Sequence, residues 1–218
     1  MSGEGREAVL AAIRDALGSR VGVAPVPRGY RTGAGVGGAG GDLVARFCAR
    51  VAEYRATVHL TASDELEAAI ASVLRGAGAR RVAVPFGLPW RPPGVELLED
   101  APSLPARTLD GVDAVLTGCA LAIAETGTFV LDGTGESGRR MLTLVPDHHV
   151  CVVRADQIVL GLPEAITALD PSRPLTFVSG PSATSDIELE RVEGVHGPRV
   201  LDVIVVAAPP SATNKVPV

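Results

Sequence analysis

The stretch TVHLTASDELEAAIASVLRGAGARRVAVP, residues 57–85, carries the reading on which the fold turns. Its first residues, TVHL, read as a strand. Residues 63–75 follow as a helix, with Ser63 placed to cap its first amides and Gly76 or Gly78 to stop it. RVAVP then returns to strand. Strand, helix and strand in this order make a βαβ unit, whose two strands run parallel.

Downstream the same rhythm continues. After a proline-rich loop, FGLPWRPPG, come VELL and DAVLTG as short strands. AIAETGTFVLDG alternates and turns tightly at Thr126-Gly127, the pattern of a hairpin. Residues 139–145 read as a short helix, HVCVVR as a strand and residues 163–169 as a helix. LTFVS and VLDVIVVAA are the last strands. Short, nearly continuous apolar strands interleaved with helices predict an α/β protein with a mostly parallel sheet covered on both faces.

Upstream, Val9, Ile13 and Leu17 stand four apart and Gly18 follows, which predicts an amphipathic helix over residues 5–17. Residues 19–41 are rich in Gly and Pro and read as a linker. Asp42 is positioned to cap a second helix carrying Leu43, Phe47, Val51 and Tyr54. Three regions result: N-terminal helices and linker over 1–55, the α/β domain over 56–208, and a flexible tail over 209–218.

The 218 residues are long enough to bury a sizeable core. Aromatic residues are only 3%, so Val, Leu, Ile and Ala must fill that core, and no stacking platform for single-stranded bases is visible. A formal charge of −5 opposes non-specific nucleic-acid binding, which needs a basic field to displace counterions. The first twenty residues carry Glu4, Glu7 and Asp15, unlike a secretory signal, and no apolar run approaches the ~18 residues needed to cross a bilayer. These features predict a cytoplasmic protein with no membrane partner. Cys48, Cys119 and Cys151 are widely separated and lack the spacings of iron–sulfur or structural zinc sites, so they read as buried thiols. No cofactor is expected to be held through cysteine clusters.

Two segments spell G-x-G-x-x-G. Residues 35–40 lack a preceding strand and read as linker; residues 133–138 follow the strand FVLD and read as a solvated turn or an anion site. Asp147-His148-His149 invites a metal reading, but neighbours in a strand face opposite ways, so the pair reads as a strand entry with one buried and one exposed imidazole. His59 reads as packing or surface.

Two polar islands stand out. One is residues 179–198, SGPSATSDIELERVEGVHGP, after an apolar strand, where open α/β sheets place ligands. Gly180 and Pro181 fix a turn, while Ser182, Thr184 and Ser185 supply hydroxyls. Asp186 and Glu188 supply carboxylates, and His196 stands near Gly194 and Gly197 with little steric cover. A Ser182–His196–Asp186 hydrolase triad is an alternative, without the G-x-S-x-G elbow. The other island is Ala124-Glu125-Thr126-Gly127-Thr128, in which Glu125 reads as general base, covalent nucleophile or solvent-facing charge. Thr126, Gly127 and Thr128 offer amides and hydroxyls to a carboxylate. Convergence of both islands on one cleft is the spatial expectation.

Through A-E-T-G-T, S-G-P-S-x-T-x-D-I-E, G-V-H-G-P and the VVRADQIV segment, the chain resembles the LUD-domain family, in its lactate-utilisation protein C branch, over residues 56–208. The resemblance implies a three-layer α/β/α fold like that of the NagB/ribose-5-phosphate isomerase/CoA-transferase group. It also implies a role in oxidising L-lactate to pyruvate beside iron–sulfur partner proteins. In the wider group a glutamate in an E-N-G-like setting attacks an acyl carbonyl; here Glu125-Thr126-Gly127 has Thr in place of Asn.

The leading expectation is thus a subunit of a lactate-oxidising assembly with a pocket for a small carboxylate or phosphorylated ligand. Thr126, Gly127, Thr128, Gly180, Ser182, Thr184 and Ser185 would hold the ligand. Asp186, Glu188 and His196 would orient it or exchange protons. The alternatives are a CoA-dependent transferase or ligase using Glu125, and a non-catalytic sensing module. A homo-oligomer is compatible with each.

Overall fold

The computed structural model describes residues 3–18, 25–29, 40–184, 192–193 and 197–207. Most of the expected linker and the whole expected tail lie outside these. The chain divides into two compact units, Met1–Arg31 and Thr32–Val218. The first contains helix α1, Gly3–Leu17, where the fourfold spacing of Val9, Ile13 and Leu17 predicts it.

The second unit runs through α2 (Gly40–Glu53), β1 (Thr57–Thr61), α3 (Leu66–Gly76), β2 (Arg81–Val84) and β3 (Glu96–Glu99). It continues with α4 (Ala106–Leu109), β4 (Ala114–Thr117), β5 (Leu121–Ile123), β6 (Thr128–Leu131) and β7 (His148–Arg154). β8 (Ile158–Val159), α5 (Leu162–Ala168), β9 (Thr176–Val178), β10 (Ala183–Thr184), β11 (Val192–Glu193) and β12 (Val200–Val206) complete it. Ser63 does not cap α3 with its side chain. It begins a 3-10 turn, Ser63–Glu65, that leads into the helix, with Ala62 in the cap position.

Six strands form one sheet in the order β1-β12-β7-β4-β2-β3, and every neighbouring pair is parallel. The βαβ reading of residues 57–85 holds: β1 and β2 belong to this sheet, joined by α3. A second, mixed sheet has the order β8-β5-β6-β9, built on the expected β5–β6 hairpin. The apolar run at β9 joins this second sheet, antiparallel to β6. An apolar run of this length does not encode its partner; the free edge of the hairpin supplies it.

Alternation along the parallel strands divides the core by face. On one face, Val82, Leu116, Val150, Val152 and Ile204 pack against Leu66, Ile70 and Leu74 of α3. On the other, Cys151, Val153, Val203 and Val205 pack against Phe47 and Val51 of α2 and against Ala122 and Phe129 of the second sheet. The outer face of the second sheet, with Leu121, Ile123 and Val130, is covered by Ala165 of α5. So α2, although within the region read as an N-terminal appendage, contributes fully buried side chains to the core.

Candidate functional site

A cavity of about 210 Å³ lies between the two sheets. Its floor is His149 and Leu201, each the second residue of its strand, so the cavity sits at the amino ends of β7 and β12. β9 and the turn that follows it, through Ser182, form one wall; Gly197 and Pro198, which lead into β12, form another. The 3-10 turn Arg140–Thr143, leading into β7, brings Arg140 and Thr143. Ser182 N donates to the Pro198 carbonyl at 2.8 Å and ties the two ends of the long polar insertion together. The insertion thus follows a strand's carboxyl end, as expected, but that strand is β9. The cavity opens at the amino edge of the parallel sheet.

His149 is buried, with Thr117 Oγ1 2.8 Å from its Nε2 and the Phe129 ring edge-on at 5.7 Å. Burial first, then the neighbouring charges of His148 and Arg140, push its pKa down to about 3. The imidazole is therefore neutral near pH 7, a hydrogen-bonding group and a weak base. Arg140 donates from Nη1 to Thr143 Oγ1 at 2.8 Å and more weakly to the Thr143 carbonyl. It forms no ion pair with a carboxylate among the described residues, while burial pulls its pKa below the usual arginine value. Arg140 nevertheless stays exposed at the edge of the cavity, where a guanidinium without a carboxylate partner among the described residues can pair with an anion.

Of the residues expected to hold a ligand, Gly180 and Ser182 line this cavity. Thr126, Gly127 and Thr128 do not, but the first island reaches it by a relay: Thr126 Oγ1 lies 2.7 Å from Thr128 Oγ1, and Thr128 Oγ1 lies 2.7 Å from Oγ of Ser179, which does line it. Both turns also meet the end of α2. A Cβ at Gly127 (φ +60°) would stand 2.6 Å from the Arg50 carbonyl carbon, and one at Gly180 (φ +86°) 2.6 Å from Tyr54 Cβ. Only glycine fits either place. Glu125 is exposed at the outer end of the hairpin beside Gly161, apart from the cavity lining. Thr184 falls in β10, and Ser185, Asp186, Glu188 and His196 lie outside the described residues.

The Asp147-His148-His149 reading needs correction. Both imidazoles are buried, at 6% and 3% exposure, because β7 is an interior strand with β12 and β4 on its flanks and packed layers on both faces. They do face opposite ways. His148 Nε2 meets Asp202 Oδ2 at 2.7 Å, and His59 Nε2 meets Asp202 Oδ1 at 2.7 Å. Burial alone would raise the Asp202 carboxyl, but these two hydrogen bonds outweigh it and hold the group below its ordinary value. Among the described residues no group of three or more His, Cys, Asp or Glu is placed to hold a metal. Arg140 and Thr143 line the cavity although the sequence did not mark them out, and His149, marked there only as a strand-entry imidazole, lines it too. Their signal was faint: a polar turn followed by a doubled histidine at a strand entry.

The chain that builds this parallel sheet and stacked hairpin sheet belongs to the LUD-domain family. The LUD domain profile matches residues 106–206. More particularly, the chain is a homologue of lactate utilization protein C. It is 52% identical to that protein from Deinococcus radiodurans over 171 residues, 76% of this chain and 80% of the relative. It is 31% identical to lactate utilization protein C of Geobacillus kaustophilus over 117 residues, 48% of either chain. Among solved structures, a DUF162 family protein from Deinococcus radiodurans superimposes with a TM-score of 0.67 at 45% identity, covering 77% of this chain and 98% of that one.

Proposed function

We propose that the chain serves lactate utilisation in the cytoplasm, holding L-lactate for oxidation to pyruvate in an assembly with iron–sulfur partner proteins. The observation that carries this reading is Arg140, a cation without a carboxylate partner among the described residues, set in a cavity beside a neutral imidazole and a serine turn. Pockets for drug-sized ligands span about 300–1,000 Å³. At about 210 Å³ this one suits a smaller guest. The guanidinium pairs with the carboxylate of lactate, and His149 and Ser182 orient the substituents at its second carbon.

Oxidation of the 2-hydroxyl removes two electrons and two protons. On this reading His196 takes the hydroxyl proton and passes it to water, because His149, with a pKa of about 3, is too weak a base. The two electrons and the remaining proton leave toward the iron–sulfur partners and solvent. Asp186 and Glu188 orient the ligand or exchange protons with it, and Thr184 and Ser185 complete the hydroxyl set. The fold is assigned to the NagB/ribose-5-phosphate isomerase/CoA-transferase group, which the six-stranded parallel sheet supports. No helix among the described residues is long and apolar enough to cross a membrane.

Lactate-dependent electron transfer by the reconstituted assembly, with and without this chain, tests the reading. Turnover is expected to require the chain, and Arg140→Gln is expected to weaken lactate about tenfold or more, the weight of one hydrogen-bonded charge pair. Unchanged turnover on omission of the chain, or wild-type lactate affinity in Arg140→Gln, would overturn it.

A further inference from the structure

The connections of the parallel sheet diverge between two neighbouring strands. The chain leaving β2 turns to β3 on one side, and the chain leaving β4 crosses to β7 on the other. Divergence of this kind opens a crevice at the carboxyl edge, a habitual ligand site in open α/β sheets. Here the glycine loop at residues 133–138 is pinned across it. Gly118, next after β4, donates to the Glu136 carbonyl at 2.8 Å. Gly138 abuts Pro85, next after β2, so closely that a Cβ would lie 2.9 Å from Pro85 Cγ. Arg139 clamps Asp100, next after β3, with Nε 2.6 Å from Oδ2.

Between this loop and Phe86, Ala101 and Pro102 lies a cleft of about 490 Å³. Phe86 lines it and is nevertheless 79% exposed. Arg139, the arginine that lines the cleft, is engaged with Asp100, and near the loop Arg154 is held by Glu136 at 2.7 Å and Arg173 by Asp132 at 2.6 Å. Among the described residues the cleft therefore offers no spare cation to a phosphate. It does offer the exposed Phe86 ring on one side and residues 133–135 on the other; there Asp132 Oδ1 accepts from the Thr134 amide, and the Thr134 and Gly135 carbonyls accept from Ser137 and Gly138, so among the described residues the Gly133 peptide groups and the Gly135 amide are left for a ligand. An uncharged flat ring with a hydrogen-bonding edge matches both walls, and base–aromatic stacking is strong enough to anchor one.

We propose that this cleft binds a purine nucleoside, its base stacked on Phe86 and its edge hydrogen-bonded to the Gly133 peptide groups and the Gly135 amide. The site lies at the carboxyl edge of the sheet, opposite the Arg140 cavity, so it stands independently of the lactate reading. Titration of the intact chain with adenosine and with AMP, read by calorimetry, tests it. Adenosine is expected to bind saturably, with AMP closely similar because its phosphate finds no free cation. Phe86→Ala should weaken adenosine about fivefold or more, as loss of one stacked base requires, and Phe86→Trp should restore it. Phe86 is exposed, so neither change threatens folding. Arg140→Gln should leave adenosine binding untouched. The proposal is overturned by absence of saturable adenosine binding at millimolar concentration or by binding that survives Phe86→Ala. Binding lost in Arg140→Gln, or AMP binding more than about tenfold tighter than adenosine, overturns it equally.

Discussion

His149 stands inside the protein with its Nε2 on Thr117 Oγ1 and its ring against Phe129, and with a pKa near 3 it stays neutral where an unfolded histidine, near about 6.5, takes a proton. The unfolded chain therefore binds more protons between those two values, and stability rises with pH across the window. Acidification from pH ~6.5 toward ~3 should therefore lower stability progressively through this group. Replacement by glutamine, which keeps a polar group but does not titrate, should flatten the slope of urea-unfolding free energy against pH in that range. An unchanged slope would place the acid sensitivity elsewhere. Asp202 makes a second residue-level case. It accepts from two imidazoles, and Asp202→Ala should destabilise the fold by about 1–3 kcal/mol, because buried His148 loses its partner while half-exposed His59 can turn to water. Equilibrium denaturation reads that directly. The chain order His148-His149 announced opposite faces; the depth of both faces depended on β7 being interior.

At the scale of elements, α2 braces the walls of the cavity without lining it. Phe47 and Val51 are buried among residues of both sheets, while its last turn abuts Gly127 of the hairpin and Gly180 after β9. Two positive-φ turns are thereby locked against one helix end, and the hydroxyl relay from Thr126 through Thr128 to Ser179 follows from their proximity. Gly127→Ala should cost about 1–2 kcal/mol from the left-handed backbone alone, before the clash with α2 is counted. Phe47→Ala should cost about 3–5 kcal/mol, the range for emptying a buried phenylalanine. Thermal unfolding of the two variants measures both. The hairpin itself was legible, since Thr126-Gly127 interrupts an alternating apolar pattern. That its turn would rest on a helix some seventy residues earlier was not, because packing partners leave no periodic mark in a chain.

For the whole molecule, the division between Met1–Arg31 and Thr32–Val218 sets where the chain can be shortened. Removal of residues 1–31 should leave a cooperative transition close to that of the intact chain. Removal of residues 1–55 deletes Phe47 and Val51 from the core and should abolish folding or lower the transition severely. Two stable truncations of equal melting temperature would show that α2 is dispensable. By itself the sequence determined the local elements: the βαβ unit at residues 57–85, the hairpin, the apolar strands that must be covered on both faces, and the two polar islands. Those are written in spacing and turn residues, which act over a few positions. Only the tertiary structure decided that β9 leaves the parallel sheet for the hairpin's edge, that both histidines are buried, and that Arg140 enters the cavity. Each of these depends on which distant surfaces meet, and burial acts on surfaces after they meet, with no regard for their distance along the chain.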